Sequence, residues 1–112
     1  MIHTAHASLY HWMQAGTALE WARGEWQVSR VYSVLGMGQS ALFHAKASLE
    51  LCTQNNILDF DLAFAYEAMA RAYKALEDEQ NMDKYLNLAL DAAEIIADDD
   101  DKKYTLSEID SI

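Results

Sequence analysis

Residues 30–35 read Arg-Val-Tyr-Ser-Val-Leu, and residues 71–76 read Arg-Ala-Tyr-Lys-Ala-Leu, forty-one positions further along the chain. The correspondence continues in both directions without a gap, so that Leu49, for example, aligns with Leu90. A period of this length is typical of helical repeat proteins, in which each unit is a helix–turn–helix hairpin. The sequence therefore predicts two copies of one hairpin, stacked side by side.

Capping and turn residues place the first two helices. The spacing of the apolar residues predicts a helix over residues 3–14, which would cover one end of the stack. A glycine separates it from a second helix, which Thr17 and Glu20 start with a capping box and which continues to about Leu35. Two glycines within residues 36–38 then end that helix, because glycine readily adopts left-handed backbone angles.

Further helices are expected in the rest of the chain. A third helix starts near Ser40, a fourth ends near Glu77, and a fifth ends near Ala97. The four aspartates of residues 98–101 should not extend the fifth helix, because acidic side chains oppose the dipole at a helix C-terminus. We therefore expect an acidic linker there, followed by a weak capping box at Thr105 that starts a short final helix.

The predicted fold class is all-α, a single domain of stacked antiparallel helical hairpins with about five or six helices. The chain has 112 residues, contains no proline, and shows no alternation of apolar and polar residues that would indicate a strand. The expected parts are an N-terminal capping helix (1–16), a first repeat (18–54), a second repeat (57–97), and an acidic linker with a short C-terminal helix (98–112).

The net charge of −10 is concentrated in the second half of the chain. Residues 55–112 carry fifteen acidic and five basic side chains, which account for the whole net charge. Nucleic acids and anionic membranes repel such a chain, so neither is expected as a partner. There is no apolar run of about 20 residues and no secretory signal pattern, and Cys52 is the single cysteine, so we expect a cytoplasmic protein.

Small and aromatic residues recur at fixed positions of the two units. They are Tyr32, Leu35, Gly36, Ala41 and Ala45 in the first unit, and Tyr66, Met69, Ala70, Tyr73, Leu76, Leu86 and Ala89 in the second. This pattern resembles that of tetratricopeptide (TPR) repeats, although the units are longer than the about 34 residues of that family. The whole chain is similar to short bacterial TPR-like proteins. The resemblance implies a TPR-like αα superhelix that binds a protein or peptide.

The resemblance also implies a binding surface, because the first helix of each TPR unit lines a concave groove. Each set of carried-over positions has the spacing of one helix face, and the set includes all three arginines of the chain. Guanidinium groups bind carboxylates with paired hydrogen bonds. We therefore predict a site for an acidic segment or a peptide C-terminus, formed by Arg23, Trp26, Arg30, Ser33, Phe64, Glu67, Arg71 and Lys74.

Other interpretations of the same residues stay open. The arginines could instead pair with neighbouring acids such as Glu67 and Glu20, as ordinary surface ion pairs. The groove, or the aromatic-rich first half of the chain, could pair with a second copy in a structural homo-oligomer, for example a homodimer.

A metal-dependent enzyme or sensor is the remaining alternative. His3 and His6 lie one helical turn apart and could share a metal ion. However, no metalloprotease motif, nucleophile motif or nucleotide-binding loop accompanies them. The sequence therefore favours a non-enzymatic protein, and no catalytic residue, metal site or cofactor is expected.

Overall fold

The structure is a computed structural model that describes residues 17–112. Within these residues it contains five α-helices and no strand, which confirms the predicted all-α class for this part of the chain. The helix predicted over residues 3–14 lies outside the described residues. The helices are α1 (Ala18–Val34), α2 (Gly38–Gln54), α3 (Phe60–Ala75), α4 (Glu79–Glu94) and α5 (Asp99–Asp110).

The helices form a stack of two antiparallel hairpins, α1–α2 and α3–α4, with α5 packed on the second hairpin. In successive side-chain contacts between α1 and α3, the residue numbers increase along both helices. The same holds for the contacts between α3 and the segment that contains α5. These three helices are therefore parallel, and we call them the inner layer, while α2 and α4 form the outer layer. The pairs are Arg23–Asp61, Trp26–Phe64 and Arg30–Glu67, followed by Phe64–Tyr104, Arg71–Glu108 and Lys74–Ile112.

The turn that ends α1 is repeated at the end of α3. After α1, the amides of residues 36 and 37 donate to the carbonyls of residues 33 and 32 at 3.1 and 2.9 Å. Forty-one positions later, the amides of residues 77 and 78 make the same two bonds at 3.0 and 2.9 Å. Gly36 and Glu77 occupy equivalent left-handed positions, with φ angles of 74° and 60°. The internal repeat seen in the sequence is thus present in the backbone of these turns.

Two buried serines hold α1 and α2 together. The hydroxyl of Ser29 donates to the carbonyl of Ala41, and the hydroxyl of Ser48 donates to the carbonyl of Ala22, both at 2.8 Å. The small size of all four side chains allows the two helix backbones to lie close enough for these bonds.

The turn of the first hairpin also contacts the turn of the second hairpin. A Cβ atom added to Gly38 would lie 2.7 Å from Cγ of Leu76, which is too close for any side chain without a shift of its neighbour. Glycine at the start of α2 therefore permits the end of α3 to pack directly against it. This contact helps to fix one hairpin on the other.

Helix α3 lies at the centre of the stack and contains more buried residues than the other described helices, most of them alanines. Small side chains let α3 approach α1, α2 and α4 at once. Larger apolar residues fill the space between α3, α4 and α5, where Ile96 and Ile109 are almost completely buried. No helix in residues 17–112 has both the length and the apolar character needed to cross a membrane.

The start of the last helix differs from the prediction. Helix α5 begins at Asp99, and the carboxylate of Asp98 accepts a hydrogen bond of 2.9 Å from the amide of Asp101. Thr105, which we expected to start this helix, is buried inside it and donates to the carbonyl of Asp101. The prediction was wrong because the same aspartates that oppose the dipole at a helix C-terminus are favourable at a helix N-terminus.

Candidate functional site

The eight predicted site residues lie on the inner layer and fall into three groups. Helix α5 contributes further residues to two of these groups. Arg23, Trp26 and Phe64 belong to the aromatic pocket, which Phe60 and Tyr104 also line. Arg30, Glu67, Arg71 and Glu108 form the ion cluster. The cationic pocket is bordered by the two arginines of that cluster together with Ser33 and Lys74.

The ion cluster joins all three helices of the inner layer. Nη1 of Arg30 lies 3.7 Å from Oε1 of Glu67 and 3.6 Å from Oε2 of Glu108. Arg71 contacts the same two carboxylates, with Nε 3.2 Å from Glu67 and Nη2 3.7 Å from Glu108. Two arginines thus face two glutamates, one of them buried and the other partly exposed.

Glu67 is the buried member of this cluster, and its side chain has no exposed surface. Although Arg71 Nε is within ion-pair distance, the angles do not meet those of a hydrogen bond, so neither oxygen of Glu67 accepts one from the described residues. Burial raises the pKa of Glu67, and the attraction of Arg71 and Arg30 only partly opposes that effect. Glu67 is therefore an internal counter-ion of the two arginines, with no surface that a ligand could contact.

The end of the described chain lies against the same arginine and a nearby lysine. Nη2 of Arg71 donates to the carbonyl of Glu108 at 2.8 Å and to the hydroxyl of Ser111 at 2.7 Å. The ammonium group of Lys74 donates to the carbonyl of Ile112. These bonds hold α5 and the two residues after it on the inner layer.

The cationic pocket opens beside this end of α5 and has a volume of about 360 Å³. Among the described side chains that line it, Arg30, Arg71 and Lys74 carry positive charge and none is acidic. Ser33 borders the pocket, and its hydroxyl is buried without a hydrogen-bond partner among the described residues. Glu67 and Glu108 offset the charges of the two arginines, so Lys74 supplies the excess positive charge of the pocket in a protein whose net charge is −10.

The aromatic pocket lies at the other end of the inner layer and has a volume of about 330 Å³. The ring of Phe64 is at its centre, with the rings of Trp26, Phe60 and Tyr104 at centroid distances of 5.5, 6.2 and 6.1 Å. The first two contacts are edge-on and the third is tilted, which are favourable arrangements for aromatic pairs.

An ion pair lies at the rim of the aromatic pocket. Nε and Nη2 of Arg23 donate to the two carboxylate oxygens of Asp61 at 2.9 and 3.1 Å. These hydrogen bonds raise the pKa of Arg23, whose guanidinium also lies 5.4 Å from the centroid of the Phe60 ring. The pair links α1 to α3 and neutralises both charges at this position.

Cys52 forms part of the pocket wall and is buried. Burial, and secondarily the charge of Asp61, raises the pKa of its thiol to about 11. Almost none of it is therefore thiolate at neutral pH, so it is a poor nucleophile there.

The histidine hypothesis concerns residues outside the described part of the chain, since His3 and His6 precede residue 17. In residues 17–112, no three histidine, cysteine or acidic side chains are grouped so that they could hold a metal ion.

The sequence left two interpretations of the arginines open, ordinary ion pairs and a binding site, and the structure contains features of each. Arg30 and Arg71 pair with Glu67, as the ion-pair alternative expected, whereas within residues 17–112 no ion pair joins an arginine to Glu20. At the same time, both arginines still line an open pocket, as the binding-site prediction requires.

Sequence analysis missed the partners that α3 and α5 contribute. Asp61 lies three residues before Phe64 and so shares its helix face. Glu108 lies forty-one positions after Glu67, so one more step of the repeat would have placed it on the inner layer. Both signals were present in the sequence.

Neither the family models, nor the curated proteins, nor the solved structures compared with this chain gave a match. Its function must therefore be inferred from the geometry and charges of the inner layer.

Proposed function

We propose that this protein is a non-enzymatic protein-interaction module that binds an acidic segment or a peptide C-terminus at the cationic pocket. The observation that carries the proposal is the composition of this pocket, which three cationic side chains and no acidic one line within the described residues. A pocket of this kind attracts carboxylates, although the protein as a whole is strongly acidic.

The contacts of α5 illustrate the recognition chemistry. The carboxylate of Glu108 lies against both arginines, and Lys74 and Arg71 donate to the carbonyl and hydroxyl groups of the last residues. The end of an acidic peptide offers the same kinds of acceptor. Arg30 has about a third of its side chain exposed and Lys74 is exposed, so both can reach such a peptide.

The resemblance to TPR repeats supports the same function. In that family the first helices of successive units line the groove that holds the ligand, and here α1 and α3 provide the three cations of the pocket.

The test is a calorimetric titration of the intact protein with acetylated synthetic octapeptides that carry aspartate or glutamate in their last three positions. One series has a free C-terminal carboxylate and the other a C-terminal amide. We expect the free carboxylate to bind more tightly, and raising the ionic strength to weaken both series because it screens exposed charges. Absence of binding at millimolar peptide would refute the proposal.

Lys74→Glu is the most direct variant, because it reverses a cation of the pocket at an exposed position. We expect it to weaken peptide binding by about tenfold or more, the effect of losing one charge-assisted hydrogen bond. Substitution of Arg30 or Arg71 is less informative, because it would also remove one of the two counter-ions of the buried Glu67.

Lys46→Glu is the matched control, since Lys46 is exposed on α2 and does not line the pocket. It changes the net charge by the same amount and should leave peptide affinity unchanged. An equal loss in both variants would show that net charge, and not this pocket, governs binding.

A structural homo-oligomer is the second candidate function, and one feature of the surface favours it. Val34, Leu35 and Met37 lie together at the turn between α1 and α2, with 66%, 46% and 45% of their surfaces exposed. Exposed apolar groups of this kind are common at interfaces. Light scattering separates the two candidates, because a strict monomer rules out the oligomer.

A further inference from the structure

We infer that the aromatic pocket is a binding site for an uncharged, planar aromatic small molecule, separate from the peptide site proposed above. Its volume of about 330 Å³ lies within the range of small-molecule sites, which are concave and mainly lined by apolar and aromatic groups. The part of the pocket that residues 17–112 form is partly open, which leaves a route for a ligand.

The ring geometry favours a flat aromatic guest. Trp26 and Phe60 meet the ring of Phe64 at 63° and 83°, and Tyr104 meets it at 58°. The aromatic rings that form the walls therefore differ in orientation, so a ligand can contact both ring faces and ring edges. A planar aromatic molecule can stack on one wall and meet another edge-on, which are the favourable geometries for aromatic pairs.

Several polar groups of the wall already have partners within the protein. Both oxygens of Asp61 accept hydrogen bonds from Arg23, and the hydroxyl of Ser48 donates to a backbone carbonyl. The thiol of Cys52 contacts the carbonyl of Asp61 at 3.9 Å. Nε1 of Trp26 is buried and has no hydrogen-bond partner among the described residues. The buried part of the wall therefore makes few hydrogen-bond demands on a guest, and this indole N–H is the donor that remains unsatisfied there.

The charge at the rim is balanced as well. Because Arg23 and Asp61 neutralise each other, the pocket has no net charge with which to attract an ion. A charged guest would lose its hydration without gaining a counter-charge from the described lining. This disfavours a carboxylate, and it leaves an ammonium group only the weaker attraction of the ring faces. The geometry thus selects an aromatic ligand that carries no charge.

The test compares three probes that share one ring system and differ in charge: indole, tryptamine and indole-3-acetate. Each is titrated into the intact protein by calorimetry, with saturation-transfer NMR to show contact with the ring protons. We expect indole to bind at least about fivefold more tightly than either charged probe, since each charged group would lose hydration without gaining a counter-charge. Tighter binding of tryptamine or of indole-3-acetate, or no binding of indole at millimolar concentration, overturns the inference.

Tyr104→Ala locates the site. Tyr104 has 61% of its surface exposed, so the fold should survive the loss of this wall, and circular dichroism checks that it does. We expect indole affinity to fall by roughly threefold to tenfold, the range expected for losing one aromatic contact.

Phe43→Ala is the matched control, because Phe43 is a similarly exposed aromatic residue on α2 that does not line the pocket. It should leave indole binding unchanged. If indole binds equally to the wild type and to both variants, the ligand lies elsewhere and the inference fails.

Discussion

At the scale of single residues, Glu67 is the most unusual position described. Its carboxylate is completely buried between Arg30 and Arg71, yet neither of its oxygens accepts a hydrogen bond from the described residues. Removing a carboxylate from water is costly, and ion pairs without good hydrogen-bond geometry offset that cost only in part. The raised pKa of Glu67 has the same cause, because desolvation outweighs the two arginines.

Glu67→Gln should therefore stabilise the fold at neutral pH, because glutamine resembles the protonated carboxyl group and the two arginines keep Glu108 as a counter-ion. The folded protein binds a proton at Glu67 more readily than the unfolded chain, since burial raises this pKa. The wild type consequently gains stability relative to the variant as pH falls through the folded pKa. The advantage of the variant should be largest near pH 7 and vanish below the unfolded pKa of about 4.3.

Urea denaturation of both proteins between pH 4 and pH 7 measures this difference. Glu50→Gln is the control, because Glu50 is exposed on α2 and its removal changes the net charge equally. A glutamine variant at position 67 that is less stable than wild type at pH 7 would show that the pairing with arginine outweighs the desolvation of Glu67.

At the scale of helices and turns, the two hairpins share one turn geometry but not one residue. Gly36 adopts a left-handed conformation at no steric cost, whereas Glu77 adopts nearly the same angles with a side chain attached. A Cβ atom built on Gly36 would have no neighbour within 4 Å, so a side chain there would not clash with other residues. The cost of a side chain at this position is therefore the cost of the left-handed backbone angles.

Substitutions at these two equivalent turn positions should change the stability of the fold in opposite directions. Glu77→Gly relieves a left-handed backbone strain of about 1 kcal/mol. The greater conformational freedom of glycine in the unfolded chain offsets part of this gain, so we expect a small increase in stability. Gly36→Ala introduces that strain and should lower stability by about 1 kcal/mol. The shift of the urea midpoint measures both, and changes of the same sign would contradict this explanation.

At the scale of the whole molecule, the ion cluster connects helices whose backbones do not approach each other. Helix α5 packs on α3 and α4, and its described contact with α1 is made by Glu108, which reaches Arg30 at 3.6 Å. The first hairpin and the last helix are thus coupled through side chains across the inner layer. The cationic pocket depends on this arrangement, because the same arginine lines its wall.

A double-mutant cycle of Arg30→Gln and Glu108→Gln measures that coupling. Both side chains are partly exposed, so we expect a coupling free energy of about 0.2–1 kcal/mol. The cycle cancels the separate effect of Arg30 on the buried Glu67. Strict additivity of the two substitutions would show that the contact does not hold α5 to the first hairpin.

Local sequence is sufficient to predict the helical class, the two hairpins and the helix face that carries the arginines. These features depend on interactions within one or two turns of helix, such as the hydrogen bond from the amide of Glu20 to the side chain of Thr17 and the left-handed turn at Gly36. The repeat adds the relation between the hairpins, because equivalent residues must occupy equivalent positions.

Which side chains meet depends instead on how the helices pack. The aspartates of residues 98–101 are unfavourable at the C-terminus of a helix and favourable at its N-terminus. The start of α5 therefore depended on its packing against α3 and α4. Whether Glu67 is buried, and which carboxylates reach each arginine, depends on the distance between parallel helices. The two pockets likewise exist only where helices distant in sequence come together, because residues from more than one helix build their walls.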